Sequence, residues 1–246
     1  MPSKRPRLRG KGKARPSPYL LGEFPDDVVI NIGSQIVHRL AVGHANIAGD
    51  DFAGIFADAI SGEHRAKPVG VTDITWDECS WSAKTIQASR PFGQKKVRLI
   101  SGRNSPDYSY GISNPLDDIQ ETGSAVLNIW NERVNRSFNV YSDLRVVVLI
   151  RNMATLQFVL FEYEAIRYPP ANFKWELNRN GNLEGREKTT GEHVFTWQPH
   201  GSQFTVIKKV PGSAYKFRIR RNPGLVAPRH ILRLIRFKPN WIEKVE

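Results

Sequence analysis

The sequence predicts an α/β fold: a mixed β-sheet core flanked by helices, with a β-rich extension at the C-terminal end. Three observations carry this. Helix-type and strand-type apolar spacings alternate between residues 26 and 166. The run LRVVVLI (144–150) is apolar almost throughout, which suits a strand buried on both faces. After Tyr168 the pattern changes to short strands separated by Gly, Asn and Pro.

The elements follow in order. Val29, Ile32, Ile36 and Leu40 recur at helical spacing, so 26–43 reads as a helix that Gly43 can end. In a second helix Phe52, Ile55, Phe56 and Ala59 share a face, Asp50 or Asp51 caps the start, and Gly62 stops it. Strands are expected at PVGVTDIT (68–75), at SWSAKTIQ (80–87) after a turn at Trp76–Cys79, and at KKVRLIS (95–101). RNSPDYSYGISNP (103–115) reads as a loop. A helix returns over Leu116–Phe138, with Asp117 and Asp118 at its positive end. LQFVLFEYEAI (156–166) neighbours 144–150 through a tight turn at Asn152-Met153. FKWELN, HVFTWQP, QFTVIKKV and AYKFRIRR complete the β-rich part. The expected organisation is a basic arm over 1–18, an α/β core over 19–166 and a β-rich portion over 167–246.

Composition limits the function. Of 246 residues, 40% are hydrophobic, enough for a sizeable core. No run approaches the ~18 apolar residues of a membrane-spanning helix. One cysteine, Cys79, allows neither an internal disulfide nor a multi-Cys zinc site. The N-terminal segment is basic without an apolar stretch, unlike a secretory signal, so a reducing, cytoplasmic setting is expected. The net charge is +12, and seven cations fall within residues 1–16 without one acid. A second basic region runs from Lys208 to Arg236. Two basic regions favour a polyanion partner over a small acidic substrate.

The segment carrying chemistry is GEHRAKPVGVTDITWDECSWSAKT (62–85). Asp73 and Lys84 fall on adjacent strands across a short turn. A carboxylate beside a lysine can hold Mg²⁺ and place a water for attack on phosphorus. The ammonium can orient that water and stabilise developing charge. The bland alternative is a cross-strand ion pair.

GVTD ending at Asp73, followed by Ser82-Ala83-Lys84, resembles the PD-(D/E)xK nuclease core of restriction endonucleases in a Ser-x-Lys variant. The element order expected over roughly residues 49–151 resembles that family's α-β-β-β-α-β core. Thr72 stands where the family has Pro, and Ser82 where it usually has a second carboxylate. The resemblance implies a Mg²⁺-dependent, site-specific endonuclease acting on double-stranded DNA as a homodimer, functionally paired with a DNA methyltransferase it does not bind. It implies metal ligation by Asp73 with Glu63 as the replacement acid, or Glu78 as a second choice. Lys84 would position the attacking water, with Ser82 and Gln87 in support.

DNA contacts are expected at Arg103, Asn104, Ser105, Tyr108 and Tyr110, because Arg and Asn read base edges and Tyr contacts phosphate. His200 and Gln203 in WQPHGSQF form a second candidate group. Lys216, Arg218 and Arg220 lie on one side of a strand, a stripe that can follow a phosphate backbone. The alternatives are a non-catalytic nucleic-acid-binding protein, in which Asp73 and Lys84 pair structurally, and a structure-specific repair or transposition nuclease.

Overall fold

The computed structural model describes residues 17–245, and the side chains within 66–68 are left out of the description. The cationic segment over 1–16 lies outside the described residues. Two helices open the fold, α1 (Asp26–Ala41) and α2 (Gly49–Ala59), followed by β1 (Glu63–Val69), β2 (Thr72–Trp76) and β3 (Cys79–Gln87). Then come β4 (Lys96–Arg103), the short α3 (Pro106–Tyr110), the long α4 (Ile119–Phe138), β5 (Asp143–Asn152) and β6 (Gln157–Glu164). The remainder is β7 (Phe173–Leu177), β8 (Leu183–Glu187), β9 (His193–Gln198), β10 (Gln203–Lys209), β11 (Tyr215–Arg218) and α5 (Pro228–Leu234).

The strands build a mixed six-stranded sheet, ordered β1-β2-β3-β5-β6-β11, and an antiparallel five-stranded sheet, ordered β4-β10-β9-β8-β7. In the first sheet β1, β2 and β3 form an antiparallel meander, and β5 lies parallel to β3. A parallel neighbour needs a crossover. The connection holds β4, α3 and α4. Asp118 caps α4, its Oδ1 accepting from the amides of Gln120 and Glu121 at 2.9 Å each; such a cap contributes about 1 kcal/mol.

One core packs α1 and α2 on one face of the first sheet, through Ile32, Ile36, Phe52, Phe56, Trp81 and Leu149 among others. A second core joins the opposite face, through Val146, Val148 and Phe161, to α4 and to the second sheet. The central strand β5 feeds both, which explains the near-continuous apolar run.

The structure corrects several expectations. The first strand of the meander is Glu63–Val69, and the stretch 68–75 spans a turn rather than one strand. Gly70 makes that turn at φ +65°, and a Cβ there would lie 2.1 Å from the Arg133 carbonyl. EHRAKPV carries no apolar alternation; β1 is an edge strand, one of the few places in a sheet where proline is tolerated. KKVRLIS is a strand, but β4 pairs β10 in the second sheet. Within 103–115, residues Pro106–Tyr110 are helical rather than loop. β8 lies in a stretch given no strand. β11 returns to the first sheet beside β6. The two sheets therefore exchange strands across the 166/167 division. Among the described residues no helix is long and apolar enough to cross a membrane.

Candidate active site

β2 and β3 pair only from Ile74–Trp81 to Trp76–Cys79. Above that level the ladder stops and a side chain replaces it. Asp73 Oδ2 accepts from the Ala83 amide and from the Ser82 hydroxyl, each at 3.0 Å. Both bonds fall on one oxygen, and among the described residues no hydrogen bond falls on Oδ1.

A cavity of about 580 Å³ opens where the strands part, lined by Gly49, Asp50, Ala53, His64, Arg65, Asp73, Ala83, Lys84 and Thr85. Four elements meet in it: the start of α2, and strands β1, β2 and β3. The positive end of the α2 dipole therefore lines the cavity, an arrangement that favours anions.

Asp73 and Lys84 share this space without closing an ion pair, so the bland cross-strand pairing is absent among the described residues. Lys84 keeps some surface but is densely surrounded. Burial pushes its ammonium below the ordinary lysine value; Asp73 opposes that shift and Arg133 adds to it. Arg133 approaches from α4. Its Nη1 donates to the Ser101 carbonyl at 2.6 Å and to Asn104 Oδ1 at 3.3 Å. Gly102, at φ +110°, leaves the room this guanidinium occupies: a Cβ there would meet Nη1 at 2.3 Å. Burial lowers the Arg133 pKa, with Asp73 opposing. One carboxylate thus faces two partly desolvated cations.

The acids proposed as its companions lie elsewhere. Glu63 is exposed, 3.4 Å from Arg65, in a separate hollow with Ser61, Gly62, Thr75, Trp76 and Asp77. Arg65 lines both hollows, whereas Glu63 lines only the second. Glu78 accepts from the Ser142 hydroxyl at 3.0 Å at the opposite end of the β2–β3 hairpin. It is four residues from Ser82, about 13 Å along a strand. Gln87 ends β3 three residues past Lys84, and strand alternation turns it to the other face. Cys79, also at the hairpin end, is buried, and its thiol is pushed up to about 12 by burial and then by Asp143.

Asp50, in sequence only a candidate helix cap, is a second carboxylate at the cavity. Asp51 does that work instead, taking the Ala48 amide at 2.9 Å, and Asp50 is left on the cavity wall. Two adjacent acids at a helix start were the available signal, since one suffices for the cap. Arg133 had a signal too: it sits three residues after Trp130, half-buried beside the buried stripe of α4, where a cation is costly without purpose.

Among the described residues no three His, Cys, Asp or Glu stand close enough to hold a metal ion as a protein cage. Mg²⁺ does not require one; it binds through one or two carboxylates, waters and phosphate oxygens. Asp73 and Asp50 fit that donor set in kind. Comparison with protein-family models, with curated proteins and with solved structures returns no match.

The residues expected to contact DNA divide. Arg103 is exposed and lies opposite Gln203 across β4 and β10. The Asn104 amide donates to the Ser202 carbonyl at 2.8 Å, which joins the 103–110 segment to the turn holding His200. Tyr108 and Tyr110 are exposed beside it, Tyr108 almost completely at 93%. Asn104 itself is fully buried; its side chain donates to the Val126 carbonyl and its carbonyl accepts from the Trp197 indole. It braces the fold and is withdrawn as a base contact. Ser105 caps α3 by accepting from the Tyr108 amide at 3.3 Å. Lys216 and Arg218 lie on β11, the sheet edge opposite β1, with exposed Arg220 just beyond.

Proposed function

We propose that this protein is a Mg²⁺-dependent, site-specific endonuclease of double-stranded DNA, resembling PD-(D/E)xK nucleases of restriction type. One observation carries the reading: Asp73 and Lys84, on adjacent strands, line one open cavity without neutralising each other. The order α2-β1-β2-β3-α4-β5, with β4 and α3 inserted between β3 and α4, supports it, following the α-β-β-β-α-β order of that family.

The reaction is hydrolysis: a water oxygen bonds to phosphorus, one bridging P–O bond breaks, and the leaving oxygen gains a proton. Asp73, fixed by Ser82 and the Ala83 amide, and Asp50 from α2 would hold Mg²⁺. When bound, the ion supplies a lower pKa for water and neutralises charge on phosphate oxygens. Lys84 holds the attacking water, and its lowered pKa eases passage of a proton. Arg133 adds fixed positive charge behind the phosphate. The surface formed by Arg103, Tyr108, Tyr110, His200 and Gln203 belongs to DNA reading. Cutting both strands calls for a homodimer, whose symmetry matches that of the site. A cytoplasmic setting and a paired methyltransferase follow from the same reading.

The test is incubation of purified protein with phage DNA, with and without Mg²⁺. Discrete fragments only with Mg²⁺ are expected. Asp73→Asn should lower cleavage on the order of a thousandfold while DNA binding in a gel shift persists. Absence of Mg²⁺-dependent cleavage overturns the reading. The second reading is a non-catalytic nucleic-acid-binding protein, in keeping with the absence of a three-ligand cluster among the described residues; in it Asp73→Asn changes nothing measurable. Smeared or junction-dependent products point to a structure-specific nuclease.

A further inference from the structure

The two sheets meet at a second groove of about 430 Å³, far around the first sheet from the Asp73 cavity. Its walls carry four lysines, Lys95, Lys96, Lys209 and Lys216, and its floor is apolar, with Pro91, Phe92, Val159, Val210 and Pro211. Lys96 and Lys209 are directly opposed across the β4–β10 ladder, a pairing that repels. Glu192 relieves it by accepting from Lys96 at 2.8 Å and Lys209 at 2.9 Å. One carboxylate for four ammonium groups leaves the groove strongly positive. All four lysines are exposed, and Phe92 is 39% exposed.

We propose that this groove binds a single strand of nucleic acid, with successive phosphates over Lys95 and Lys216 and a base against Phe92. A net positive charge calls for a polyanion. The apolar floor calls for one that also carries flat, weakly hydrated groups. Duplex DNA offers only phosphates here, because its bases are stacked inside. An unpaired strand offers both, and a basic groove with an aromatic platform is how such strands are held. Lys216, on the edge strand β11, continues into Arg218 and Arg220, so the strand has a cationic path beyond the groove. The site is independent of the Asp73 cavity and stands whether or not that cavity is catalytic.

The experiment is fluorescence anisotropy of the full chain with a fluorescein-labelled dT₁₂ oligonucleotide, in EDTA and over a salt series. EDTA removes cleavage, so failure here leaves the nuclease reading untouched. The pair Lys95→Glu with Lys216→Glu should weaken binding at least tenfold. The slope of log affinity against log salt should fall by about 1.4, two phosphates at ~0.7 each. Phe92→Ala should weaken binding about fivefold or more, the effect of losing one stacked base. The control is Lys174→Glu with Lys188→Glu, which alters net charge equally on or near β7, the opposite edge of the second sheet. Equal weakening by the control, an unchanged salt slope, or no effect of Phe92→Ala overturns the proposal. The neutral pair Lys95→Gln with Lys216→Gln, checked by circular dichroism, must reduce the slope in the same direction, which guards against a folding defect.

Discussion

β3 carries two charge clusters on its opposite faces. Trp81 faces α1 and α2, and its indole donates to Glu162 Oε2 at 3.0 Å. Glu162, fully buried in its side chain, also accepts from Arg145 at 2.9 Å, from the Tyr19 hydroxyl at 3.2 Å and from the Gly22 amide at 2.9 Å. Arg145 is held further by Asp143 at 2.7 Å and by the Tyr19 carbonyl. One residue along, Ser82 and then Lys84 turn away from Trp81, Ser82 to Asp73 and Lys84 to the cavity where β2 and β3 part, which the start of α2 and Ala83 also line. Both clusters set a carboxylate against cations on neighbouring elements. In the first, the carboxylate is filled with four donors and sealed. In the second, one oxygen takes both bonds and the cations stay unpaired with it. The same residue types give a structural tie when saturated and, on the proposed nuclease reading, a reactive site when left short of partners.

The largest effect that separates the two clusters is on stability. Arg145→Ala leaves Glu162 buried without its cation, and breaking such a pair costs about 3–5 kcal/mol. Urea denaturation should show that loss, with cleavage per folded molecule unchanged. It also frees the 17–24 segment, which the Arg145 bonds to Tyr19 hold to the sheet. A loss below about 1 kcal/mol would mean that the sealed cluster contributes no more than a surface pair.

A smaller effect distinguishes the acids. Asp50→Asn should lower cleavage about tenfold and raise the Mg²⁺ concentration needed for half-maximal rate, because it removes one of two carboxylates on the cavity wall. Glu63→Gln should change neither, since Glu63 is exposed beside Arg65 and lines a separate hollow. Reversal of that order in a Mg²⁺ titration would restore Glu63 as the ligand.

Much of this arrangement is legible in sequence, and the losses have physical causes. α1, α2, α4, β3, β5 and β6 announce themselves because each buries a regular apolar pattern. β1 does not, since an edge strand that ends in a tight turn has little to bury. KKVRLIS reads correctly as a strand, but period-2 patterning says nothing about which sheet it joins. Asp73, Ser82 and Lys84 come together because they lie on one face of adjacent strands, which alternation specifies. Gln87 is near Lys84 in sequence, but three residues along a strand is an odd step and turns it to the other face. Glu63 and Glu78 are near Asp73 and Ser82 in sequence only, whereas Asp50 reaches the cavity through the packing of α2 on β3, a tertiary contact. Asn104 looked like a base reader because burial of a polar loop residue by a cross-sheet network leaves no local mark.

The finest contrast is at Lys84 itself. Burial lowers its pKa, so near neutrality the folded chain holds a proton at a cost that the unfolded chain does not bear. The unfolded state binds that proton more tightly, so this group's contribution to stability rises with pH, through the window between the lowered value and the ordinary lysine value. Below that window the cost is fully present. Lys84→Met removes the charge and keeps the length of the side chain. It should abolish cleavage and yet melt higher at pH 7, by the 2–4 °C that about 1 kcal/mol gives in a chain of this size. The gain should shrink as the pH is raised toward 10, because the parent then sheds the proton itself. Arg145→Met, at the saturated cluster, should lower the melting temperature at every pH in that range. A Lys84→Met variant that melts below the parent at pH 7 would show that Lys84 is paired after all, and that the two faces of β3 do not differ in the way their hydrogen bonds suggest.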